Sequence, residues 1–162
     1  MENLNFKISE AVNEPIKDYL DGNSEKESLL NKLEEMKSYQ YEIPIIINGQ
    51  EVKTNDLGYC VMPHNHQHIL ASYHKASPDE VEMAINSLLD AWKEWSHTPL
   101  EKRIEIFKKM ASLLQNEYRD TINAATMLGQ SKNVYQSEID AACELIDFFN
   151  FICEYLYNIN KQ

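Results

Sequence analysis

From about Asn133 to Tyr157 the sequence reads as one long helix with two apolar sides. Ile139, Ala142, Cys143, Ile146, Phe149 and Cys153 recur at helical spacing and define one face, while Leu145, Phe148, Ile152, Tyr155 and Ile159 define another. A helix that is apolar on two faces is normally buried on both. What precedes it is a modest set of helices and a small β region. The second face therefore calls for cover by a further domain or a partner, unless the preceding helices wrap around it.

Upstream, start signals and periodicity divide the chain into three parts. Residues 1–40 form an N-terminal helical arm, with a short helix expected over Pro15 to Leu20 and broken at Gly22-Asn23. A second helix is expected from Ser24, where Ser24 and Glu27 have capping-box spacing, to about Lys37, carrying Leu29, Leu30, Leu33 and Met36. Residues 41–76 form a small, mostly antiparallel β region. There Asn48-Gly49, between Ile43-Pro44-Ile45-Ile46-Ile47 and Glu51-Val52-Lys53, signals a type I′ hairpin, because that turn needs positive φ at both central positions. Further strands are expected at Tyr59 to Met62 and Ile69 to His74.

Residues 77–162 are helical. Ser77-Pro78-Asp79-Glu80 and Thr98-Pro99-Leu100-Glu101 both read as helix starts. The first opens an apolar stripe of Val81, Ala84, Ile85, Leu88, Leu89 and Trp92; the second opens one of Ile104, Phe107, Ala111 and Leu114. A helix over roughly Tyr118 to Leu128 is expected to stop at Gly129 as a left-handed C′ residue. The fold class is α+β, mostly helical: a small antiparallel β region followed by long helices.

A net charge of −11 with no Lys/Arg cluster disfavours nucleic acid and anionic membrane surfaces as partners. No apolar stretch approaches the roughly 20 residues that span a bilayer. The first ten residues carry neither a basic segment before an apolar run nor an Arg-rich amphipathic pattern. Cys60, Cys143 and Cys153 are widely spaced and contain no CxxC pair, which fits reduced thiols in a cytoplasmic protein.

Candidate chemistry is sparse. In His64-Asn65-His66-Gln67-His68, alternate residues of a strand would put three imidazoles on one face, a pattern that suits zinc. Adjacent ligands from one strand enclose a metal poorly, no fourth ligand is evident, and Pro63 and Asn65 favour a polar turn instead. No metal site is expected. Cys143 and Cys153 sit in an apolar helical setting that suits an inert thiol. The four glycines form neither G-x-G-x-x-G nor G-x-x-x-x-G-K, so no dinucleotide loop is recognisable. Asp140, Glu144 and Asp147 are spaced to share one helix face. If buried beside Leu145 and Phe148, Glu144 would need a partner such as a cationic group of a ligand; otherwise the three form a solvated acidic stripe or an internal salt bridge.

A series of segments in order carries a resemblance: Asn13-Glu14-Pro15, Glu42 to Ile47, Met62-Pro63-His64-Asn65-His66-Gln67-His68, Lys93-Glu94-Trp95, Thr126 to Lys132, and Glu138 to Phe148. Together they resemble the 1-pyrroline-5-carboxylate dehydrogenase branch of the aldehyde dehydrogenases over nearly the whole chain. The resemblance implies a β segment, not a metal site, at His64 to His68. It also implies the N-terminal part of the aldehyde dehydrogenase fold, without the Rossmann and catalytic cores, with residues 77–162 packing on an NAD-binding domain.

Members of that branch oxidise L-glutamate γ-semialdehyde to L-glutamate with NAD, using a cysteine nucleophile, a glutamate and an asparagine. No residue of this chain matches those three, so no catalytic or cofactor-binding residue is assigned. Glu144 falls where the branch places a substrate-pocket glutamate. The expectation is an N-terminal portion that is inactive alone and completed by a catalytic and NAD-binding region or a full-length homologue. The rival expectation is a non-catalytic interaction module that uses the second apolar face to form homo-oligomers or bind such a homologue.

Overall fold

A computed structural model describes residues 6–161; residues 1–5, which carry part of the amino-terminal pattern discussed above, and residue 162 lie outside the described residues. Helix α1 (Ser24–Ser38) is followed by strands β1 (Tyr41–Ile43), β2 (Ile45–Ile47), β3 (Gln50–Val52), β4 (Leu57–Met62) and β5 (Asn65–His74). Helices α2 (Pro78–Trp95), α3 (Leu100–Asn116) and α4 (Arg119–Gln130) come next. The chain closes with α5 (Val134–Ser137), a π-helical turn (Glu138–Cys143) and α6 (Glu144–Lys161).

The hairpin at Asn48-Gly49 forms as its sequence demands. β2 and β3 pair antiparallel with Ile47 opposite Gln50, and the turn residues have φ of 50° and 73°. Pro44, which cannot donate to a ladder, separates β2 from β1. β1 joins a three-stranded sheet of order β1-β5-β4, antiparallel between β4 and β5 and parallel between β1 and β5. Gly58 in β4 lies under the Tyr73 ring, so close that a Cβ there would collide with the ring.

Two apolar clusters hold the chain. Tyr19, Leu29, Leu33, Met62, Ala124 and Leu128 join α1, α4 and the sheet, while Leu100, Ile104, Cys153 and Tyr157 join α3 to α6. The inner face of the last helix is buried at Ala142, Cys143, Ile146 and Cys153. Its second face is not: Phe148 is 62% exposed, and Ile152, Tyr155 and Ile159 are exposed beside it. The preceding helices therefore do not wrap around it.

The stripe on α2 is equally bare. No residue of that helix is buried, and Leu88 is 70% exposed. What starts α2 is local: Ser77 and Glu80 form the reciprocal capping box with Pro78 at the first helical position.

Several local expectations are corrected. Pro15 to Leu20 is not helical: the Lys17 amide is taken by Glu138 in the π turn and the Leu20 amide by Asp18, side-chain acceptors in place of helix carbonyls. The capping box at Ser24 does not form: the Ser24 hydroxyl bonds Glu25, and the preceding Asn23 spends its carboxamide on Asp18. Thr98 donates to the Glu94 carbonyl at the end of α2 and does not cap α3. Gly129 stays helical, and Ser131, with φ of 56°, takes the left-handed position. The histidine run is a turn only at Pro63-His64, and Asn65 onward is strand. The expected single helix from Asn133 is continuous but interrupted by the π turn.

Candidate functional site

Where the last helix leaves the π turn, its outer side forms an open groove of about 500 Å³ lined by Asn13, Glu144, Asp147, Phe148, Phe151, Ile152 and Tyr155. The floor is the uncovered apolar face, and the polar end is made by two carboxylates and one carboxamide. Glu144 is exposed and has no hydrogen-bond partner among the described residues. It is therefore a solvated carboxylate and not the buried one whose need for a partner was weighed above. Asp147 is engaged: its two oxygens accept from the Asn13 side chain at 2.8 Å and the Glu14 amide at 2.7 Å. Asp140 pairs with Lys132 at 2.7 Å from within the π turn. The acidic stripe is thus divided, and only Glu144 faces the groove unpaired.

The wall carrying Asn13 is an extended N-terminal strap that runs antiparallel to the last helix. The Tyr157 hydroxyl donates to the Phe6 carbonyl, the Ala11 amide to Glu154, the Glu14 amide to Asp147 and the Lys17 amide to Glu138. The Ala11, Glu14 and Lys17 amides have each found a carboxylate in place of a helix carbonyl. That is the physical reason this segment stays extended.

Behind the groove lies a buried polar cluster that sequence inspection did not single out. Glu138, fully buried, accepts from the Lys17 amide, the Tyr19 hydroxyl, the Asn123 carboxamide and the Arg119 guanidinium. Arg119 also donates to Glu14 and to the Pro15 carbonyl. Burial would raise the Glu138 carboxyl, but the Arg119 guanidinium and the three other donors lower it to about 2. Burial, and then the bond to Glu138, push Tyr19 upward, so it stays a neutral donor. Cys143 is pushed up to about 11 by burial and by the Glu138 charge, and burial raises Cys153 as well. Both thiols are inert at neutral pH.

The lowered carboxyl predicts a pH dependence. Its contribution is complete above the ordinary value of 4.5 and is lost as pH falls through 4.5 toward about 2. Its full size is about 3 kcal/mol. Urea midpoints recorded down a pH series should fall across that window, and they should fall less in a Glu138→Gln variant.

The remaining candidates are dispersed. His64 contacts the Ser131 hydroxyl at 2.7 Å, and Cys60 is exposed on β4. Among the described residues no group of three His, Cys, Asp or Glu is placed to hold a metal ion. Gly22 and Gly49 serve turns, Gly58 packs under Tyr73 and Gly129 lies within α4, so none opens a phosphate loop at a helix start. No described helix is long and apolar enough to cross a membrane.

Comparison with known proteins bears on this arrangement. A family model described as the aldehyde dehydrogenase family matches residues 52–162. A delta-1-pyrroline-5-carboxylate dehydrogenase of Agaricus bisporus is 45% identical over 158 residues, covering 97% of this chain and 29% of that protein. The mitochondrial delta-1-pyrroline-5-carboxylate dehydrogenase of Homo sapiens is 40% identical over 152 residues, covering 94% of this chain and 27% of that protein. The crystal structure of the Mycobacterium tuberculosis delta-pyrroline-5-carboxylate dehydrogenase bound with NAD superposes with a TM-score of 0.95 at 33% identity, covering all of this chain and 30% of that one. The chain thus spans less than a third of the length of the relatives it matches.

Proposed function

This chain belongs to the aldehyde dehydrogenase family, and from that premise we propose that it is the N-terminal portion of an NAD-dependent dehydrogenase that oxidises L-glutamate γ-semialdehyde to L-glutamate in proline degradation. The observation that carries the proposal is the similarity along 97% of the chain to a delta-1-pyrroline-5-carboxylate dehydrogenase. Within that enzyme the groove of α6 is the part this chain gives to the substrate pocket. Glu144 supplies an unpaired carboxylate for a cationic group, and Phe148 and its neighbours supply the apolar wall. The three free thiols support a cytoplasmic setting.

The 162-residue polypeptide by itself is proposed to bind no NAD and to turn over nothing, since its four glycines spell no dinucleotide loop and both buried cysteines are held as thiols. NADH formation from pyrroline-5-carboxylate by the purified chain would overturn this. Grafting residues 1–162 onto the remainder of the Agaricus bisporus relative should give an active enzyme. In that graft Glu144→Gln should raise KM about 10- to 100-fold, the loss of one charge-assisted contact. An unchanged KM removes Glu144 from the pocket.

A second function is favoured by the bare faces of α2 and α6: an interaction module that pairs with another copy or a full-length homologue. Sedimentation of the chain alone and with such a homologue separates the two functions.

A further inference from the structure

The three carboxylates that grip the strap sit at positions a plain α-helix would not bring together. At about 100° per residue, Asp147 and Glu154 lie within about 20° of each other around the axis, whereas Glu138 would lie about 180° from Asp147. The helix is not plain. The Glu144 amide donates to the Ile139 carbonyl, five residues back, and Glu138–Cys143 forms the π turn. A single π turn absorbs one extra residue, which brings Glu138 to within about 80° of Asp147. The rise fits as well, since the seven residues from Asp147 to Glu154 and the three extended residues from Ala11 to Glu14 both span about 10 Å.

We infer that the π turn is the phasing element that lets the last helix read the strap's backbone, and that Glu138 and Arg119 are positioning residues for the Asn13 wall of the groove. Three observations converge on this. Glu138, the first residue of the π turn, is fully buried and takes the Lys17 amide, the third rung of the ladder. Arg119 spans the junction, bonding Glu138 on the helix and both Glu14 and the Pro15 carbonyl on the strap. Asn13, between the Ala11 and Glu14 rungs, reaches Asp147 and lines the groove. The inference goes beyond the proposed activity and does not depend on what the groove binds.

Inserting one alanine after Ala141 tests it, because a single π turn absorbs only one extra residue and Glu138 would then lie about 180° from Asp147. In amide hydrogen exchange on the 162-residue chain, Ala11, Glu14 and Lys17 should exchange about 10- to 100-fold faster, each having lost a charge-assisted bond. The amides of Ile104 and Cys153, at the α3–α6 contact, should keep their rates. Retained strap protection overturns the inference, and so does a uniform loss across all helices, which would mark a purely structural turn. Lys17→Pro removes the third donor without touching the π turn or the core. It should move the Asn13 side-chain amide signals to those of a free carboxamide. If they stay, the strap does not depend on Glu138, and the inference fails even where the insertion variant does not fold.

Discussion

Replacing Arg119 with methionine lowers the unfolding free energy by about 3–5 kcal/mol, the cost of leaving buried charge without its partner. The side chain is 3% exposed, and its guanidinium is shared between Glu138 and Glu14, whose side chains are 0% and 7% exposed. Methionine fills most of the volume, so the loss is electrostatic and not a cavity. Urea unfolding at neutral pH, followed by circular dichroism, measures it. Adding Glu138→Leu to Arg119→Met should cost much less than the sum of the single changes, because the stranded carboxylate goes too. A single-variant loss below about 1 kcal/mol would mean that the cluster is solvated and contributes little.

Ile146→Ala carries the second large effect, about 2–5 kcal/mol, because the side chain is fully buried on the inner face of α6. Its companion is Phe148→Ala on the outer face, where the exposed ring should cost no more than about 0.5 kcal/mol in the chain alone. The pair separates the two sides of one helix. Equal losses would mean that the outer face is covered in solution, by another copy or by the chain itself, and a concentration-dependent midpoint identifies the former.

What the sequence made legible was local or periodic. Ser77 and Glu80 fix the start of α2 within four residues, and Asn48-Gly49 fixes a turn by φ alone; both hold. The two-sided last helix was legible from spacing, and its bare face is where the spacing places it. Spacing marked Glu144 only as one of three acidic residues on a helix face, the resemblance singled it out, and the structure adds that it lines a groove.

The polar cluster was not legible, because Arg119 meets Glu138 across 19 residues and Glu14 across 105. Periodicity carries no information about such partners. The same cluster explains the misassigned strap: Pro15 to Leu20 has acceptable helix formers, but the distant Glu138 carboxylate takes the Lys17 amide and the Tyr19 hydroxyl. Gly129 failed for a different reason. A glycine signals a stop only by freedom, and here Ser131, two residues on, adopts the left-handed turn.

The strap's mode of attachment has a consequence for how the sequence can drift. Ala11 and Lys17 are held by their main-chain N–H groups, and a carboxylate that accepts an N–H does not read the side chain beyond it. Those two positions should tolerate almost any residue except proline, which has no N–H to give. Glu138, Asp147 and Glu154, on the receiving side, enjoy no such freedom. At those two positions the informational burden falls on the helix alone, so substitutions should accumulate at Ala11 and Lys17 while the carboxylates that receive them stay fixed.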